Sequence, residues 1–115
     1  MLAPSPNTID HVLVAISDPT RRSIIERLRA GEARVTDLAA PYPISLNSVS
    51  KHIRMLERAD LVRRRREGRE YLLSLNLDPL DQVTRWIDQQ RDFWNQQFDN
   101  LEQFLASEDE GKDAP

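Results

Sequence analysis

Hydrophobic residues recur along most of this chain at helical spacings, with one stretch where the period drops to two. Ile9, Val12, Leu13 and Ile16 stand at i, i+3, i+4 and i+7, the stripe of an amphipathic helix that Thr8 can cap. Asp18-Pro19 restarts the chain as N-cap and first helical residue, and the second helix carries Ile24, Ile25 and Leu28 to a stop at Gly31. Thr36 can cap a short helix from Asp37 to Ala40, ended by Pro41-Tyr42-Pro43. Ser45 caps the next helix, in which Leu46, Val49, Ile53 and Leu56 form one stripe. Two segments, 61–66 and 69–75, then read as strands of a hairpin: Tyr71, Leu73 and Leu75 alternate, and Glu67-Gly68 supplies a turn in which glycine accepts the left-handed conformation. Asp78-Pro79 opens a long final helix that the pattern carries to about residue 106.

The polar positions change the picture most around Ser45. Opposite the apolar stripe lie Asn47, Lys51, Arg54 and Arg58, flanked by Ser48 and Ser50, with no carboxylate before Glu57. Amide, hydroxyl and cationic donors on one helix face suit phosphates and the acceptor-rich base edges of a DNA major groove. The hairpin strengthens that reading. Arg63, Arg64, Arg65, Arg66 and Arg69 crowd the tip of the ribbon, where they repel one another and favour a nearby polyanion. The DNA-binding set expected from sequence is therefore Asn47, Ser48, Ser50, Lys51, Arg54 and Arg58 on the helix with Arg64, Arg65, Arg66 and Arg69 on the ribbon. A net charge of −3 would argue against a DNA partner if it were evenly spread. It is not: residues 1–69 hold 13 Lys and Arg against 8 Asp and Glu, and residues 70–115 hold 3 against 11.

Along the final helix, Leu80, Val83, Ile87, Gln90, Trp94, Gln97, Leu101 and Phe104 follow a 3-4 spacing, with Trp86, Phe93, Phe98 and Leu105 beside them. That is more apolar surface than a small domain covers, and a seam of this kind usually meets a partner helix. A homodimer is expected, with Val12 and Ile16 of the first helix and Ile87, Trp94, Phe98 and Leu101 of the last at its interface. The domain reading is a mobile tail at 1–7, one domain at 8–106 ending in the dimerisation helix 78–106, and an acidic disordered tail at 107–115.

The 115 residues suffice for a single domain. With no cysteine there is no thiolate metal site and no cysteine nucleophile, and the amino terminus lacks the pattern of a signal peptide or membrane span. A cytoplasmic protein with no membrane partner is the expectation. Enzymes are disfavoured because there is no glycine-rich phosphate loop, no nucleophile–base pair and no cluster of histidine with carboxylates. No catalytic residue, metal ligand or cofactor is assigned. His52, beside the apolar stripe, is expected to pack against the hairpin or the preceding helix. Arg21 and Arg22 could reach phosphates, although an Arg22–Glu26 ion pair is the simpler expectation. A dimeric protein-interaction module without DNA binding is the competing reading, and the arginine-rich ribbon is what speaks against it.

The order of elements resembles the ArsR-type winged helix-turn-helix repressors of bacteria over residues 8 to 106. The resemblance rests on DPTRRSIIERL (18–28), VTDLA (35–39), SLNSVSKHIRMLERADLV (45–62) and REGRE (66–70). The segment WIDQQRDFWNQQFDNLEQFL (86–105) is similar to a subgroup with an aromatic last helix. The family implies a mainly α fold with a small β-hairpin, the wing. It implies a homodimer through the first and last helices, a near-palindromic operator and repression relieved by an inducer. Its metal-sensing motif falls at Arg34-Val35-Thr36-Asp37, with Arg34 and Thr36 in the ligand positions, and the last helix has no histidine. Metal sensing by those routes is not expected, and an organic inducer near the tryptophans is the expectation instead.

Overall fold

In the computed structural model, which describes residues 6–113, Asp18 starts a helix as its position predicts. Its carboxylate accepts the Arg21 backbone N–H at 3.0 Å, and Pro19 occupies the first turn, where a missing N–H costs nothing. The element order is α1 (Pro6–Ile16), α2 (Pro19–Leu28), β1 (Ala33–Arg34), α3 (Val35–Ala39), α4 (Leu46–Arg58), β2 (Val62–Glu67), β3 (Glu70–Leu75) and α5 (Asp78–Asp113). Gly31, at φ 135°, turns the chain out of α2 toward β1.

The chain falls into two units, one up to Val83 and one from Thr84 onward. In the first, Val12 and Ala15 of α1, Ile24 and Leu28 of α2, Leu38 of α3, and Val49, Ile53 and Leu56 of α4 share one core with Leu61, Val62, Leu73 and Val83. Each such aliphatic side chain contributes about 1.5–3 kcal/mol on burial. The second unit is the continuing α5, whose described side chains from Thr84 to Asp109 are all exposed. No helix among the described residues is long and apolar enough to cross a membrane.

Several boundaries differ from expectation. The first helix begins at Pro6, so Thr8 lies inside it rather than at its start; of the tail expected at 1–7, residues 1–5 lie outside the described residues. The helix-turn-helix opens at Val35, with Arg34 in the cap position and no side-chain cap. The cause is β1, which pairs Ala33 with Leu73 and Arg34 with Leu72 and so holds the chain extended up to the helix. The expected hairpin is therefore a three-stranded antiparallel sheet of order β1-β3-β2. Its turn is Gly68-Arg69, one residue later than expected, because Glu67 pairs with Glu70. Gly68 has φ 64° at the first central position, where a two-residue turn of the II′ kind needs glycine. Helix α5 runs through the acidic segment to Asp113, where disorder was expected from 107. Ala106, Glu108 and Asp109 include good helix formers, and no proline intervenes before Pro115.

Candidate nucleic-acid interface

Helix α4 is held at both ends. Ser45 accepts the Ser48 backbone N–H at 3.1 Å and also bonds the Ser48 hydroxyl at 3.0 Å. At the other end Asp60 takes φ 57°, while the Asp60 N–H reaches Glu57 O and the Leu61 N–H reaches Leu56 O at 3.0 Å, the two bonds of a Schellman cap. Asn76 fastens that cap to the end of β3: its side-chain amide donates to the Asp60 carbonyl at 2.7 Å, and its backbone N–H to Leu61 O at 2.8 Å.

The elements before α4 are braced by arginines. Arg27 donates to the Leu38 carbonyl at 2.6 Å and to Asp37 O at 3.0 Å, satisfying the end of the five-residue α3. Tyr42 in the turn donates to the Ser23 hydroxyl of α2 at 2.8 Å. Arg21 and Arg22, weighed above as phosphate contacts, instead close the end of α1. Arg21 donates to Ala15 O and Val14 O, and Arg22 to Ile16 O at 2.7 Å rather than to Glu26. Arg21 also reaches His52 Nδ1 at 3.1 Å, and Asp18 lies 3.7 Å from the same nitrogen. Arginine is the donor there, so Nδ1 accepts. His52 thus packs at the start of α2 and ties α4 to it. The Arg21 backbone N–H holds the Asp18 carboxyl below its ordinary pKa against the opposing effect of burial, and the Arg21 charge adds to the lowering.

On this scaffold Val49, Ile53 and Leu56 face inward, and Asn47, Lys51, Arg54 and Arg58 face out. At 100° per residue those four span an arc of about 60°, with Ser50 to one side and Ser48 to the other. Among the described residues Lys51, Arg54 and Arg58 make no ion pair, so their charges are uncommitted. Leu46, expected on the buried stripe, is 54% exposed. It sits at the stripe's edge in the first turn, where no neighbouring element covers it, and with exposed Ile44 it adds apolar surface beside Asn47.

The wing is less free than its composition suggests. Arg64 donates to Glu57 at 2.7 Å and lies over the Tyr71 ring, 5.0 Å from its centroid. Arg65 meets both carboxylate oxygens of Glu32, at 3.1 and 3.2 Å, and also Glu67. The hydrogen bonds and charge of Glu32 raise the pKa of that guanidinium further. Arg63 pairs with Asp60 at 3.5 Å, and Arg66 donates to the Gly68 carbonyl. Arg66 and Arg69 pair with no carboxylate among the described residues. The structure thus brings the helix and wing sets to one unit and assigns Arg64 and Arg65 intramolecular partners. Glu57 was visible on the helix face, seven positions before Arg64; nothing local marked Glu32. At the expected dimer interface, Val12 is fully enclosed in its own core and offers no surface, and Ile16 is half-buried against that core. The exposed apolar residues of α1 are Leu13 and Val14.

Comparison with known proteins settles the family. Residues 16–65 match the model of a helix-turn-helix domain. The chain is 35% identical over 79 residues to the transcriptional repressor SdpR of Bacillus subtilis, covering 69% of this chain and 88% of that protein. It is 35% identical over 99 residues to the HTH-type transcriptional regulator Rv2034 of Mycobacterium tuberculosis, covering 86% and 90%. The crystal structure of an ArsR family transcriptional regulator superposes with a TM-score of 0.76 at 33% identity, over 82% of this chain and 97% of the other. The chain belongs to the ArsR family of winged helix-turn-helix transcriptional regulators. It is accordingly a DNA-binding regulator of transcription and not an enzyme, and the protein-interaction module without DNA binding falls away.

Within the ArsR fold the family's thiolate position is filled here by Arg34, whose Nε donates to Glu70 at 2.9 Å, and by Thr36 inside α3. A guanidinium and an aliphatic hydroxyl are not transition-metal ligands. Among the described residues no group of three or more His, Cys, Asp or Glu is gathered as a metal site would require.

Proposed function

We propose that this regulator is a repressor that binds a near-palindromic operator in the cytoplasm as a homodimer, with one α4 in each of two successive major grooves. The observation that carries the reading is the arc of Asn47, Lys51, Arg54 and Arg58, four exposed donors without a carboxylate partner among the described residues. Asn47 and Ser48, in the first turn, are placed to read base edges. Lys51, Arg54, Arg58 and the wing residues Arg64, Arg65, Arg66 and Arg69 serve phosphates, and Ser50 lies at the edge of the contact.

The dimer reading is supported by α5. Ile87, Trp94, Phe98 and Leu101 are 43 to 62% exposed, and Trp86, Phe93, Phe104 and Leu105 add to the same excess. Phe93 and Trp94 meet edge to face at 5.6 Å, and Trp94 and Phe98 are tilted at 6.3 Å. An aromatic strip of this size in water favours burial against a second copy, with Leu13, Val14 and Ile16 of α1 adding apolar surface. An organic effector fits a regulator whose family metal position holds arginine. Replacing Trp94 by Glu puts a charge in that strip. The expected result is a monomer by sedimentation that no longer shifts operator DNA although every DNA-facing residue is intact. A folded monomer that still binds at full affinity would sever dimerisation from DNA binding.

A further inference from the structure

Beneath the wing lies a cavity of about 570 Å³ lined by Ile25, Leu28, Leu75, Leu77 and Leu80. Its polar rim is Arg29, Gly31, Glu32 and Ser74. The volume falls in the range of about 300–1,000 Å³ typical of small-molecule sites, which combine an apolar lining with a few placed polar groups. Its charges are not equivalent. The Glu32 carboxylate is engaged at both oxygens by Arg65, whereas Arg29 makes no ion pair with any described residue. The uncommitted charge at the rim is therefore positive, so the cavity complements an anionic head on an apolar body.

The same rim touches the DNA-binding surface. Glu32 follows Gly31, whose φ of 135° favours glycine, and reaches across to Arg65 of β2. Strand β3, hydrogen-bonded to β2, supplies Ser74 and Leu75 to the cavity wall. An occupant of the cavity therefore meets Glu32, whose carboxylate holds Arg65.

We propose that this cavity is the regulator's effector site. It takes a small amphiphilic organic anion, with the apolar body against Leu75, Leu77 and Leu80 and the carboxylate on Arg29. Its occupancy is transmitted to the wing through the Glu32–Arg65 pair. The site is built from residues of the first unit, whereas the tryptophans near which an inducer was expected belong to the second, and its regulatory role rests on the repressor reading above.

Decanoate, used below its micelle concentration, is the probe. Calorimetry should give one decanoate per chain for the wild type, about tenfold weaker binding for Arg29→Ala, and none for Leu77→Trp, which fills the cavity from an exposed position. Saturating decanoate should change operator affinity about fivefold or more in the wild type and leave Leu77→Trp and Glu32→Gln unchanged. Melting curves and decanoate-free operator binding of Arg29→Ala and Leu77→Trp should match the wild type. No uptake by the wild type would overturn the proposal. Uptake retained by both cavity variants but lost in Trp94→Ala would move the site to α5 and overturn it equally. Binding that leaves operator affinity untouched would remove the effector role. Wild-type protein that shifts no operator even without decanoate would instead defeat the repressor reading.

Discussion

Asp18 performs two tasks with one carboxylate: it caps α2 through the Arg21 N–H and lies beside His52 of α4. Asp18→Ala should cost about 0.5–2 kcal/mol of stability. Because folding lowers the Asp18 pKa, its stabilisation is complete above the ordinary aspartate value of about 4 and is lost as pH falls through the lowered one. Melting curves across an acid series should therefore show the gap between wild type and variant closing at low pH; a gap independent of pH would leave the cap without its charge. The wing supplies a second residue-scale prediction. Glu57→Gln should free Arg64, and Glu32→Gln should free Arg65. Each should tighten binding to any DNA sequence and steepen its decline with salt, by up to about 0.9 in log–log slope per phosphate gained. Unchanged slopes in both variants would mean that neither arginine meets the backbone. The donors of α4 were legible in the sequence because 3.6-residue geometry alone places them together. The Glu32–Arg65 pair was not, since the two residues meet only through the packing of β1, β3 and β2.

At the scale of elements, α4 should divide its work along its length. Asn47→Ala should relax sequence preference at a cost of about 1–3 kcal/mol on the correct operator, whereas Arg54→Ala should weaken all sequences alike. Titration of both variants against matched and scrambled operators separates the roles, and identical behaviour would merge them. The helices were legible because their apolar periods are sustained and Asp18 and Ser45 cap them. Strand β1 was not, because two residues carry no period. Its absence from the pattern also misplaced the start of α3, which begins where pairing with β3 ends. Leu46 was misassigned for a related reason: periodicity gives a direction around the helix but not whether anything stands there to cover it.

For the whole molecule, the excess of apolar surface on α5 was legible from composition and spacing alone. The enclosure of Val12 was not, because the stripe on α1 is compatible with either a core or an interface. A single α4 and wing would present few base contacts, and a two-fold pair would double them at a fixed separation. Sequencing the genomic fragments that co-purify with the wild-type protein tests that account most directly. The prediction is one shared, near-two-fold-symmetric motif whose half-sites are centred roughly one helical turn, about 34 Å, apart. Fragments sharing no motif, or a single unsymmetric half-site, would contradict it.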